Sequence, residues 1–203
     1  EARTHLPLWK SMPLIGRIGV YLGKLFRSLG KRGERREPMD KERGDGKKGT
    51  SEAMKQVPAL LNEFVGEVTS LSGWYTSPPW GFDHPHWFLN QVVCLKSEKA
   101  PDELLKETQR LEEELGRREK TLNGRYEARL IDIDILFIDE QIIDSIRLTI
   151  PHPRLHLRRF TLLPLNELVP GLRHPVLQKT ISQLLEECTD AAEVRRVDQS
   201  FGP

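Results

Sequence analysis

Two aspartates, Asp132 and Asp134, interrupt an apolar run at residues 129–138, Arg-Leu-Ile-Asp-Ile-Asp-Ile-Leu-Phe-Ile. β-branched and aromatic residues fill the run and Gly and Pro are absent, which predicts a β-strand. In a strand, positions i and i+2 leave the same face, with Cα atoms roughly 7 Å apart. Ile131, Ile133 and Ile135 then point to the opposite face, toward a core. Adjacent carboxylates repel each other and lose hydration. A divalent cation relieves both costs, and Mg²⁺ sites combine one or two carboxylates with substrate phosphates. A half-buried strand with an acidic polar face accounts for the same spacing, so spacing alone leaves both readings open.

The surrounding residues add phosphate chemistry. Arg117, Arg118, Arg125, Arg129, Arg147, Arg154, Arg158 and Arg159 gather around the aspartates in sequence. The guanidinium is a planar fork suited to phosphate oxygens. His152 is held between Pro151 and Pro153. Paired acids, arginines and a fixed histidine suggest a polyphosphate bound through Mg²⁺; surface ion pairs are the structural alternative. A Walker Gly-x-x-x-x-Gly-Lys-Ser/Thr and a kinase Gly-rich loop are both missing, so the reading is a phosphoryl-transfer enzyme of another kind. Asn90 sits in an apolar run, where a buried amide must find partners, either core backbone or a heterocycle.

These residues need elements to hold them. Residues 18–22 are a strand candidate. Residues 24–48 carry ten Lys/Arg against five Asp/Glu, and residues 31–50 read as a flexible loop. Ser51 suits a helix start, and Met54, Val57, Leu60, Leu61, Phe64 and Val65 recur at helical spacing around Pro58. Residues 67–76 alternate as one strand. Residues 77–85 form a Pro-rich loop with Trp80 and Phe82, the kind of segment that carries binding groups. Residues 87–96 alternate, with Phe88, Asn90, Val92 and Cys94 on one face and Leu89, Gln91, Val93 and Leu95 on the other. Pro101, Asp102 and Glu103 open a helix with a Leu104, Thr108, Leu111, Leu115 stripe that ends at Gly116. A turn at Asp139 and Glu140 joins the aspartate strand to residues 141–143 as a hairpin. A helix over about residues 180–187 buries Ile181, Leu184 and Leu185. Residues 189–203 read as a loose tail. The mixture, with its hairpin, argues an α+β fold with a largely antiparallel sheet.

The chain of 203 residues can bury one sizeable core. Its net charge of +1 gives no global field for nucleic acid. A nucleic-acid module built on residues 24–48 would need aromatics or a folded scaffold. No run reaches transmembrane length, and the opening residues lack a signal-peptide pattern. Cys94 and Cys188 make no disulfide framework, and the cytosol is the expected compartment.

Five blocks occur in order: Ser77-Pro78-Pro79-Trp80-Gly81; Phe88-Leu89-Asn90; Glu112 with Leu115-Gly116-Arg117; Arg129-x-x-Asp132-Ile133-Asp134-Ile135-Leu136; and Leu148-Thr149-Ile150-Pro151-His152-Pro153 running on to Arg158-x-Phe160. Over residues 51–185 the chain resembles the 6-hydroxymethyl-7,8-dihydropterin pyrophosphokinases of folate biosynthesis, which move diphosphate from ATP to a pterin alcohol. The resemblance implies a ferredoxin-like α+β sandwich. It implies two Mg²⁺ ions on Asp132 and Asp134, with Arg117 and Arg129 gripping phosphates beside them as catalytic residues. Ser77, Pro78, Trp80, Phe88, Asn90 and Phe160 would hold the pterin. Glu112, Arg117, Tyr126, Arg129, Arg147, Thr149, His152 and Arg158 would contact ATP. ATP and the reduced pterin are then the expected partners, a neighbouring folate-pathway enzyme is a question the sequence leaves open, and charge and hydropathy point to no nucleic-acid or membrane partner. The domain would span residues 17–188, after an extension at 1–16 and before the tail at 189–203. Val20-Tyr21-Leu22-Gly23 fits the family's first strand, while residues 24–50 depart from the turn and helix that follow it. That departure leaves a second reading, a non-catalytic pterin- or nucleotide-binding relative.

Overall fold

The structure is a computed structural model that describes residues 17–25, 45–81, 87–117 and 131–197. Its main sheet is antiparallel at every pairing. Strand β4 (Phe88–Lys96) is at its centre, with β1 (Arg17–Leu25) on one side and β5 (Asp132–Ile138) beyond β1. On the other side β4 pairs with two short strands in succession, β2 (Glu67–Leu71) and β3 (Trp74–Ser77). β8 (Arg195–Val197) pairs with the outer edge of β3. A small separate ladder joins β6 (Ile143–Asp144) to β7 (Thr149–Ile150).

Alternation along the strands sorts two cores, one per face. Leu89, Val93 and Leu95 of β4 and Ile133 and Ile135 of β5 pack with α1 (Asp45–Phe64) and α2 (Pro101–Arg117). The expected stripes form the contact: Met54, Val57 and Leu61 are fully buried, as are Leu104, Thr108 and Leu111 to within 1%. Val92, Leu136 and Phe137 face the other way, against α3 (Arg159–Leu168) and α4 (Ile181–Glu187). Leu136 and Phe137 share that face because β5 bulges: Val20 pairs with Ile135 and Gly19 with Phe137, so Leu136 is the extra residue.

Several sequence expectations change. α1 begins at Asp45, six residues before Ser51, so residues 45–50 are helical rather than loop; once the packed turns have paid nucleation, each added residue costs little. The expected single strand over 67–76 is two strands, broken at Ser72 and Gly73. Ser72 replaces a regular ladder position, its N–H donating to Val92 O and its Oγ accepting from Val92 N–H, both at 2.9 Å. The hairpin is β6–β7, not β5 with residues 141–143; Asp139, with φ 47°, turns the chain away from β5. Residues 159–168, left unassigned from sequence, are α3. α4 starts as expected, with Thr180 and Gln183 in a reciprocal capping box. Residues 195–197 are not loose: they are strand β8. Of the charged stretch, residues 26–44 lie outside the described residues, as do residues 1–16.

Candidate active site

The predicted chemistry collects on the sheet face that carries α3 and α4, at one end of β4 and β5. Register across the sheet builds a row: Tyr75 is opposite Asn90, Asn90 opposite Gly23, and Gly23 opposite Asp132. Asn90 and Asp132 are thus two strand spacings apart, about 10 Å between backbones. The next row toward the core holds Val92, Tyr21 and Asp134. Placing a glycine between Asn90 and Asp132 puts no Cβ between the amide and the carboxylate.

Asn90 is fully buried, and its Nδ2 donates to Tyr75 O at 3.3 Å and to Ser77 Oγ at 3.0 Å. Ser77, 1% exposed, is the residue opposite Phe88, which is half-buried at the rim. Pro78 and Trp80 follow, both half-buried, and Trp80 packs against the second core.

Asp132 is exposed and Asp134 is partly so, with 39% of its side chain accessible. Their separation by one residue and their common face hold as expected, with Ile131, Ile133 and Ile135 buried behind them. Between them, Ile133 N–H donates to Glu112 Oε1 at 2.6 Å. Glu112 therefore ties α2 to the backbone midway between the two aspartates. Among the described residues no third His, Cys, Asp or Glu completes a metal-binding group with the pair. Two accessible hard carboxylates suit Mg²⁺, which keeps waters and takes phosphate oxygens rather than a closed protein cage.

A second cluster abuts Asp134. The Ile150–Pro151 bond is cis, and His152 N–H donates to Leu136 O at 2.9 Å, docking this segment on the edge of β5. His152 Nε2 lies 4.0 Å from Asp134 Oδ2. Its Nδ1 accepts from Arg154 N–H at 3.2 Å, which assigns the proton of the neutral ring to Nε2. Burial pushes the His152 pKa below the ordinary 6.5; Arg158 and Arg154 push the same way and Asp134 opposes them. Arg158 Nη1 is 3.8 Å from the same Asp134 oxygen, and its guanidinium lies over Trp80 at 5.1 Å and over Phe160 at 5.7 Å from the ring centroids. Stacking orients the fork, and the aromatic faces contribute a cation–π attraction. Phe160 is 9% exposed at the start of α3.

Other expected residues are placed less centrally. Arg147 is exposed in the turn before β7, where Ser145 Oγ accepts from Arg147 and Leu148 N–H. Thr149 is half-buried opposite Asp144. Arg117 ends α2; Tyr126 and Arg129 lie outside the described residues. Sequence reading missed Glu167. Its carboxylate accepts from Tyr75 OH at 2.8 Å and from Gly73 N–H, and pairs with Arg196 at 3.1 Å. Burial and then Glu167 push the Tyr75 phenol up to about 12. An acid in an unassigned segment gave no signal of its own. A surface cleft of about 580 Å³, lined by Gly66, Glu67, Lys96, Ser97 and Lys99, lies at the far end of β4 from Asn90.

A family model described as 7,8-dihydro-6-hydroxymethylpterin-pyrophosphokinase (HPPK) matches residues 43–170, which include every described residue of both clusters. The chain belongs to the HPPK family. It is 44% identical over 117 residues to the 2-amino-4-hydroxy-6-hydroxymethyldihydropteridine pyrophosphokinase of Porphyromonas gingivalis, covering 57% of this chain and 79% of that one. The enzyme of the same name from Aquifex aeolicus is 38% identical over 129 residues, covering 64% and 78%. In Bacillus subtilis the figures are 39% over 116 residues, covering 57% and 68%. Wild-type HPPK-DHPS of Plasmodium falciparum has a similar fold, with a TM-score of 0.59 at 16% identity. The similarity covers 85% of this chain but only 44% of that one, and it bears on the fold: an α+β, ferredoxin-like sandwich. β1 precedes the HPPK match and β8 follows it.

Proposed function

We propose that this chain transfers diphosphate from ATP to 6-hydroxymethyl-7,8-dihydropterin, yielding AMP and the pterin diphosphate in folate biosynthesis. The carrying observation is the juxtaposition of the paired acids Asp132 and Asp134 with His152 and Arg158, on the sheet face that also bears Asn90. The names of the HPPK relatives support the enzyme over a non-catalytic binding relative.

In this reading Asn90 and Ser77 meet the edge of the pterin while Phe88 and Phe160 offer ring faces to it, with Pro78 and Trp80 as walls. Arg158, Arg147, Arg117 and Arg129 bind phosphate oxygens, and Thr149, Tyr126 and Glu112 complete the ATP side. Asp132 and Asp134 would hold two Mg²⁺ ions, which when bound neutralise phosphate charge and align the attacking oxygen. The hydroxymethyl oxygen attacks the β-phosphorus as the bond from that phosphorus to the α–β bridging oxygen breaks. AMP leaves with the bond electrons, and the hydroxyl proton is lost. His152, neutral with its proton on Nε2, donates to a phosphate oxygen without adding positive charge. Arg158 presents its fork already stacked, so little side-chain freedom is lost on binding.

The two thiols, Cys94 and Cys188, are free, and no described helix is long and apolar enough to cross a membrane; a cytoplasmic location accords with both. The fused HPPK-DHPS chains support a neighbouring folate enzyme as a partner. The deciding experiment is AMP release from ATP, Mg²⁺ and the reduced pterin alcohol. Release that depends on the pterin is the expected result; ATP binding without AMP would favour the non-catalytic relative.

A further inference from the structure

We infer that the C-terminal segment, residues 189–197, is a strap that positions the heterocycle-binding half of the site. It does so from outside the region that defines the family match, residues 43–170. The inference rests on the reading that Asn90, Phe88 and Phe160 receive the pterin.

Three anchors carry it, each ending one step from one of those residues. Asp190 Oδ2 accepts from Arg159 N–H at 3.0 Å. This satisfies an open donor at the start of α3, where the Arg158 side chain at the N-cap does not cap the helix, and its negative charge suits that end of the helix. Arg159 lies between Arg158 and Phe160, so the bond fixes the turn that aims both. Asp190 is itself braced, its Oδ1 accepting from Ala192 N–H at 3.0 Å.

Arg195 and Arg196 are neighbours in β8 and leave opposite faces. The Arg195 guanidinium covers the Trp87 ring at 5.5 Å, pinning the residue that leads into Phe88. Arg196 lies on the other face beside Gly73, so close that a Cβ there would come within 2.7 Å of Arg196 Nε. From that position it pairs with Glu167, which accepts from Gly73 N–H and Tyr75 OH. The carbonyl of the same Tyr75 receives Asn90 Nδ2. The path is Arg196, Glu167, Tyr75, Asn90. β8 also pairs directly with Trp74, Tyr75 and Thr76. Without it, β3 would be a four-residue edge strand facing water on one side. The Asp190 anchor fixes backbone beside Arg158, which reaches Asp134, whereas the path from Arg196 through Glu167 and Tyr75 ends at Asn90, so that path is the one that acts on the pterin side.

The test uses the full chain with Arg196→Ala and Glu167→Ala, the two charged members of the path that ends at Asn90. Steady-state kinetics varies each substrate in turn, with melting temperatures alongside. KM for the pterin should rise roughly tenfold, the loss expected when one charge-assisted bond in a relay is removed. KM for ATP should stay within about twofold of the parent, the scatter of a non-contacting change. Glu167→Gln should recover part of the pterin affinity, because its amide oxygen can still accept from Tyr75 OH while the charge pair with Arg196 stays lost. If Glu167→Ala does not fold, Tyr75→Phe, which removes one hydroxyl, carries the same comparison. Folded variants with a parental pterin KM, or with both KM values raised equally, would overturn the strap. Asn90→Ala separates the two levels: if it leaves pterin affinity unchanged, the site assignment itself fails. If it weakens the pterin while the strap variants do not, only the strap fails.

Discussion

Asp132 and Asp134 are accessible like-charged neighbours, so neither is needed for packing. Asp132→Ala and Asp134→Ala should therefore fold, with melting temperatures near the parent. Turnover should fall about a thousandfold or more, because several kcal/mol of transition-state stabilisation are lost with a phosphate-neutralising site. Neither variant should gain thermal stability from Mg²⁺ plus an ATP analogue. A lowered melting temperature with activity reduced only in proportion would instead mark the aspartates as structural. Arg158 separates shape from charge. Its side chain is 17% exposed, with the guanidinium over the rings of Trp80 and Phe160. Lysine keeps the charge but loses the planar fork and the stacking, so Arg158→Lys should raise KM for ATP by roughly tenfold. Parental ATP kinetics in Arg158→Lys would show that a point charge suffices.

At the scale of elements, the site depends on tight joints. Gly66 links α1 to β2, and a Cβ built there would lie 2.1 Å from Lys96 O, a backbone atom. Gly66→Ala must separate the α1–β2 turn from β4. It should destabilise by about 1–3 kcal/mol or more, as overpacking does, read as a lower denaturant midpoint with unchanged slope. An unchanged midpoint would mean that the joint yields freely. Glu112 works in the other direction, holding β5 through Ile133 N–H from α2. The two helices behind the sheet thereby fix the depth at which the aspartates are presented.

Across the whole molecule, the second core sets a pH dependence remote from the site. His174 is 5% exposed, stacks edge-on to Phe137, and its Nδ1 accepts from Val176 and Leu177 N–H. Burial and the nearby His156 push its pKa below 6.5. The unfolded chain then binds a proton that the folded chain resists. The stability contribution is full above the unfolded value of about 6.5 and is lost as pH falls through the folded value. Urea midpoints should drop between pH 7.5 and 5, and His174→Asn, which keeps an acceptor near Nδ1 without the titration, should flatten that drop. An equal pH slope in both proteins would remove His174 from the acid response.

What could be read from the chain alone was local and periodic. The i, i+2 spacing put Asp132 and Asp134 on one face, alternation sorted β4, and the 3.6-residue stripe of α2 was buried as written. The motif blocks led to the HPPK family. What required the tertiary structure was pairing between distant segments. The partner of β6 is β7, and β8 turns a polar tail into part of the sheet. Glu167 becomes a junction only because α3 brings it beside Gly73, Tyr75 and Arg196. The physical reason is that periodicity records which face a residue shows, whereas register and long-range hydrogen bonds depend on which strand comes to lie alongside. Polar residues such as Asp190, Arg195 and Arg196 satisfy water as readily as each other, so their sequence carries no trace of the partners that folding gives them.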